Sequence, residues 1–154
     1  MRRPVILSTF LFVGALTAQT PALIGYWHNW DLAGAPYIPL DQIDPRYNVI
    51  EVAFAEPVPG STSLMAFTPS ATDPATFTAQ VAAIRSTGRK VLISLGGANA
   101  TVQLNSDAER TDFESSMLGI LDGYGFDGMD IDLEGTSIST SGGTNTDPTH
   151  SPIL

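Results

Sequence analysis

Four runs of branched and aromatic residues recur along the chain: Leu23-Ile24-Gly25-Tyr26-Trp27, Tyr47 to Ala55, Lys90 to Gly96, and Phe126 to Leu133. The first three are close to continuously apolar, the pattern of strands buried on both faces of a parallel sheet. Helical periodicity lies between the later runs. Asp73-Pro74 supplies a capping acid and a proline for the first turn; Phe77, Val81 and Ile84 then recur at helical spacing, and Gly88 ends the pattern. Ser106 to Tyr124 is the second helix, with Phe113, Met117, Ile120, Leu121 and Tyr124 as its apolar stripe and Gly125 after it. Between Tyr37 and Arg46 only a short helical turn fits, because Pro39 and Pro45 confine it. Strand–helix alternation predicts an α/β fold with a parallel sheet covered by helices. Periodicity leaves both an open sheet and a closed barrel in play.

The fourth run breaks the apolar rule. Asp130, Asp132 and Glu134 stand at alternate positions in Asp127-Gly128-Met129-Asp130-Ile131-Asp132-Leu133-Glu134-Gly135. On a strand, alternation sends these three carboxylates to one face and Met129, Ile131 and Leu133 to the other. Stacked like charges destabilise one another, and catalysis is the usual reason to keep them. Asp127 has the wrong parity and reads as a strand-opening residue that points elsewhere. The competing reading is a hard-cation site; no histidine is interleaved to favour it, and no metal is expected.

Asp127-x-x-Asp130-x-Asp132-x-Glu134 resembles the D-x-x-D-x-D-x-E signature of glycoside hydrolase family 18, the chitinases and their relatives. Ser94-Leu95-Gly96-Gly97 is similar to the family's S-x-G-G motif on its third barrel strand. Gly25 to Trp30 and Tyr47 to Glu56 resemble strands one and two of bacterial chitinases, the chitinase-D-like branch in particular. The resemblance implies the first half of a (β/α)8 TIM barrel, strands one to four with their helices. Such a barrel takes about 250 residues and eight strands. Residues 23–154 are therefore expected to be a partial catalytic domain ending after strand four, with Gly135 to Leu154 as a long loop. Further substrate contacts of the family, on later strands, are expected outside this chain, and the chain alone is expected to be a poor enzyme.

Parity assigns an inward face to Ile24 and Tyr26, to Val52, Phe54 and Glu56, to Leu92, Ser94 and Gly96, and to Gly128, Asp130, Asp132 and Glu134. Glu134, last on its strand and nearest the mouth, is the expected general acid of a glycoside hydrolase. The resemblance implies that the sugar's own 2-acetamido oxygen is the nucleophile, that Asp132 holds the acetamido N–H, and that Asp130 shares a proton behind it. Ser94 is the expected hydrogen-bond partner of Asp130 across the adjacent strand. Tyr26 and Phe54 are candidates for the floor under the reacting sugar, Trp30 for a platform, and Gly96 and Gly97 for a close approach of substrate to backbone. Trp27, of opposite parity, is expected beneath a helix. His28 and His150 have no ligand-like spacing and receive no role.

Composition narrows the partners. The 154 residues carry a net charge of −9, 43% hydrophobic and 15% charged residues, and no cysteine. Nucleic acid and anionic membranes are poor partners for such a chain, whereas a neutral polysaccharide is not repelled. Disulfides are excluded. Met1-Arg2-Arg3-Pro4 and the apolar stretch from Val5 to Leu16 read as a secretory leader over residues 1–22, too short to span a bilayer. The expected protein is thus secreted and uses no cofactor. The family resemblance implies that it cleaves the β-1,4-N-acetylglucosamine linkages of chitin with retention, its expected partners being chitin or N-acetylglucosamine oligosaccharides. The alternatives are an endo-β-N-acetylglucosaminidase acting on glycoprotein glycans and a non-catalytic chitin-binding barrel.

Overall fold

The computed structural model describes residues 21–138. The expected leader falls almost wholly outside the described residues, as do His150 and the polar stretch from 139 onward. Five strands, β1 (Ile24–His28), β2 (Val49–Pro57), β3 (Met65–Ala66), β4 (Lys90–Gly96) and β5 (Gly128–Asp132), are interleaved with two helices, α1 (Pro74–Ser86) and α2 (Asp107–Tyr124). Single turns of 3-10 helix sit at Leu40–Gln42, inside the confined segment, and at Gly135–Ile138.

β1, β2, β4 and β5 lie side by side in that order, every neighbour parallel. These are the expected four strands, with α1 and α2 as crossovers. β3 pairs antiparallel with the end of β2 and was not anticipated, since two residues carry no period. The helix ends follow their sequence signals. Asp73 accepts from the backbone N–H groups of Ala75 and Thr76, each at 3.0 Å. At α2 the Ser106 hydroxyl accepts from Glu109 N–H at 3.2 Å, while the Glu109 carboxylate reaches back to Asn105 N–H at 2.7 Å. Gly125 closes α2 in the left-handed region, φ 71°.

One face of the sheet is apolar and lies beneath the helices. Trp27, Ile50, Val52, Val91, Ile93 and Leu95 form it, packed with Val81 and Ile84 of α1 and Met117 and Ile120 of α2. Phe77 of α1 is fully buried at the centre, its ring 5.5–6.2 Å from those of Phe67, Tyr124, Trp27 and Phe126. Trp27 is where its parity put it, and its indole N–H donates to the Ile38 carbonyl at 2.7 Å.

The assignment of Val52 to the inner face is corrected. Register pairs Tyr26 with Glu51, Glu51 with Leu92, and Leu92 with Gly128, so Glu51 and Ala53 face inward and Val52 is wholly buried on the helix side. Phe54 nonetheless comes inward. The β2–β4 register shifts between Ala53 and Ala55, where the Ala53–Phe54 peptide is cis, and the alternation is broken there.

The β4–β5 pairing begins at Asp127, which does point away from the other acids. Its N–H donates to Val91 carbonyl at 2.8 Å, and its carboxylate accepts from Val91 N–H at 3.0 Å. Lys90 Nζ and Arg85 Nε approach the same carboxylate at 2.9 and 3.1 Å. Burial pushes the Asp127 carboxyl up, but the Val91 N–H and the two cations outweigh it and hold the group below its ordinary value. A depressed carboxylate contributes stability above its unfolded pKa, and that contribution is lost as pH falls through the native value. Asp127→Ala is expected to cost about 2 kcal/mol at pH 7. The deficit relative to wild type should shrink below about pH 4, as urea unfolding at pH 7 and pH 3 would show. An unchanged difference would mean that the charge contributes nothing.

Candidate active site

Asp130 is the centre of the inner face. Register sets it opposite Ser94, and the fully buried Ser94 hydroxyl donates to Asp130 Oδ2 at 2.7 Å, as expected. From the far side the Tyr26 hydroxyl donates to the same oxygen at 2.8 Å. Burial of the Tyr26 hydroxyl, then its hydrogen bond to Asp130 and that carboxylate's charge, raise the phenol well above its ordinary value. Two donors from two strands fix the orientation of Asp130.

Asp132 lies one row further toward the mouth, opposite Gly96, and its carbonyl accepts from Gly97 N–H at 2.8 Å. Glu134 requires a correction. β5 ends at Asp132, so Glu134 is not the last residue of the strand; it is exposed and lies just before the turn Gly135–Ile138. The ladder stops there because β4, its partner, ends at Gly96.

Gly96 and Gly97 have reasons within the protein itself. At Gly96, φ 107°, a Cβ would stand 2.1 Å from the Asp132 carbonyl oxygen; at Gly97, φ 84°, it would stand 2.9 Å from the Phe54 ring. Phe54 is in turn flanked by Tyr26, with ring centroids 6.3 Å apart, and stacked on Trp30 at 6.1 Å and 24°. The three rings expected to meet a sugar are thus brought together beside Asp130, with Trp30 exposed at the rim. His28, given no role from sequence, orients that rim: its Nε2 is 3.1 Å from the Ala35 carbonyl and its ring 5.4 Å from Trp30. Among the described residues no cluster of three or more acidic, His or Cys side chains is arranged to hold a metal ion.

Two residues escaped the sequence reading. Glu51 is a buried carboxyl on the inner face, in register with Tyr26. Burial, then the charge of Asp130, pushes it above its ordinary value, and the Tyr26 hydroxyl partly draws it back. A lone Glu in an otherwise apolar run was the available signal, hidden by the misread parity of β2. Ser137, buried beyond Glu134, had no such signal.

Residues 22–152 match the family model described as glycosyl hydrolases family 18. The chain belongs to that family. It is 46% identical to Chitinase Chi52 of Paenibacillus xylanexedens, the match covering 80% of this chain and 24% of that one. It is 45% identical to Chitinase D of Niallia circulans, covering 79% and 23% respectively. A solved family 18 chitinase from Chromobacterium violaceum superposes with a TM-score of 0.71 at 41% identity, over 79% of this chain and 32% of the other. The chain thus spans about a quarter of the length of the two curated relatives. The family's TIM-barrel architecture makes the four parallel strands a partial barrel, with the Asp130 face as its interior.

The glycine geometry is testable by contrast with Gly88, which has φ 86° but nothing within 4 Å of the place a Cβ would take. Gly88→Ala should cost about 1 kcal/mol for its left-handed backbone alone. Gly96→Ala adds a clash with backbone and should cost at least about 2 kcal/mol more, read by urea unfolding. Equal costs would show that β5 can draw back from Gly96.

Proposed function

We propose that the protein to which this chain belongs is a secreted chitinase that works by substrate assistance. The observation that carries the proposal is Asp130, clamped by Tyr26 and Ser94 on the inner face, with Asp132 and then Glu134 toward the mouth and the rings of Tyr26, Phe54 and Trp30 alongside. Glu134, the exposed acid, protonates the leaving glycosidic oxygen as the bond to the anomeric carbon breaks. The 2-acetamido carbonyl oxygen forms the new bond to that carbon and closes an oxazolinium ion. Asp132 accepts the acetamido N–H and offsets the growing positive charge. Water, giving its proton to the Glu134 carboxylate, then opens the ring from the opposite face, and the configuration is retained. Asp130 holds its orientation throughout and exchanges a proton with Asp132.

The aromatic trio supplies apolar faces for sugar rings, and Gly96-Gly97 keeps the backbone low beneath them. The net charge of −9 suits a neutral polysaccharide. Secretion rests on the leader pattern of residues 1–22; among the described residues no helix is long and apolar enough to cross a membrane. The presence of Glu134 favours an enzyme over a purely binding barrel.

Glu134→Gln in the full-length protein is expected to lower kcat on chitin oligomers by about 10²–10⁴-fold with oligosaccharide binding preserved, since the amide keeps the shape but has no proton to give. Retention of more than a few per cent of the wild-type rate would contradict the assignment. Turnover of a high-mannose glycopeptide in preference to chitin oligomers would move the substrate to glycoprotein glycans.

A further inference from the structure

Glu134 is exposed, so the packing of its own side chain does not hold it. Its placement is set by the backbone on either side, and both sides are tied to the loop that follows β4. On one side Gly97 N–H holds the Asp132 carbonyl at 2.8 Å. On the other, Ser137 donates its own N–H to the Glu134 carbonyl at 3.0 Å, while its side chain is buried between two residues distant in sequence. Ser137 Oγ accepts from Val102 N–H at 2.9 Å and donates to the Ala100 carbonyl at 3.1 Å. Gln103 Nε2 adds a bond to the Thr136 carbonyl at 2.9 Å, and the Thr101 and Thr136 hydroxyls meet beside it. The loop is itself anchored: Gln103 N–H donates to Thr62 carbonyl at 3.0 Å and Thr62 Oγ1 to Gln103 carbonyl at 3.2 Å.

We infer that Ser137 is a positioning residue for Glu134, the clasp by which the loop Gly97–Gln103 fixes the backbone that carries the acid. The inference rests on the proposed general-acid role of Glu134. A strand residue is oriented by its ladder, but Glu134 lies two residues past the end of β5. The clasp replaces the missing ladder. Loss of the Ser137 hydroxyl leaves the Val102 N–H and Ala100 carbonyl without that partner in a buried setting, and the turn Gly135–Ile138 is released with Glu134 at its head. Displacement of about 1 Å at a reacting group is enough to cost about 10²-fold in rate.

The test uses two substrates of the full-length protein. Chitotetraose needs a proton on its departing sugar oxygen, whereas the 4-nitrophenyl glycoside of chitobiose has a leaving group that departs almost without one. Ser137→Ala should lower kcat/KM, which reports the steps up to oxazolinium formation, by about 10–100-fold on chitotetraose with KM nearly unchanged, and by no more than about 3-fold on the aryl glycoside. Ser137→Thr, which keeps the hydroxyl, should restore most of the chitotetraose rate. Thr136→Val, at an exposed position with little folding cost, should show the same skew in weaker form and serves if Ser137→Ala does not fold. Equal losses on both substrates, or a rise in KM with kcat unchanged, would overturn the positioning role while leaving the functional reading intact. Absence of wild-type turnover on both substrates would instead overturn the functional reading, and the inference with it.

Discussion

The pairing of β4 with β5 is the constraint on which the site depends. A slip of one residue along that pair would turn Asp130 and Asp132 into the apolar layer under the helices and bring Met129 and Ile131 inward. The pair is tied at three levels. Asp127 binds Val91, Lys90 and Arg85 at its start, Ser94 binds Asp130 in the middle, and Gly97 N–H binds the Asp132 carbonyl at its end. Three of the four acids in the motif therefore take part in setting register, by side chain or by backbone. Glu134 alone lies outside the ladder, which is why its placement falls to the loop bonds around Ser137.

The sheet works because its two faces differ. Trp27, Val52 and Ile93 bury the helix side, and Phe77 and its aromatic neighbours close it. With burial satisfied there, the inner face is free to carry Glu51, Ser94, Asp130 and Asp132. Such a set would be a liability in a core without hydrogen bonds, and the Tyr26 and Ser94 hydroxyls supply them to Asp130. Burial, then the charge of Asp130, raises the Glu51 carboxyl above its ordinary value, and the Tyr26 hydroxyl partly offsets this.

Much of this was legible in the sequence, and the failures have physical causes. The strands and helices declared themselves through continuous apolar runs, the Asp73 and Ser106 caps and the Gly125 terminator. β5 is short and regular, so alternation correctly grouped Asp130 with Asp132 and linked Asp130 to Ser94. β2 is longer and irregular at Ala53–Phe54, and a period of two carried through that break misassigned Val52 and hid Glu51. Glu134 was read onto the strand because its parity fits, whereas the strand's length is decided by where β4 stops. Ser137 was invisible because its partners, Ala100 and Val102, are distant in sequence and its neighbours are equally hydroxyl-rich. The glycines at 96 and 97 were recognised as special, but the contacts that require them, Asp132 and Phe54, belong to tertiary structure.

In the proposed mechanism the sugar's own acetamido group attacks the anomeric carbon, in place of a protein carboxylate or a metal-bound water. The most direct measurement follows the first-formed product of the full-length protein by proton NMR, comparing chitin oligomers with cello-oligomers that carry a hydroxyl in place of the acetamido group. Substrate assistance predicts the β-anomer as the first product from chitin and no turnover of the cello-oligomers. An α-anomer formed first, or comparable hydrolysis of both substrates, would contradict it.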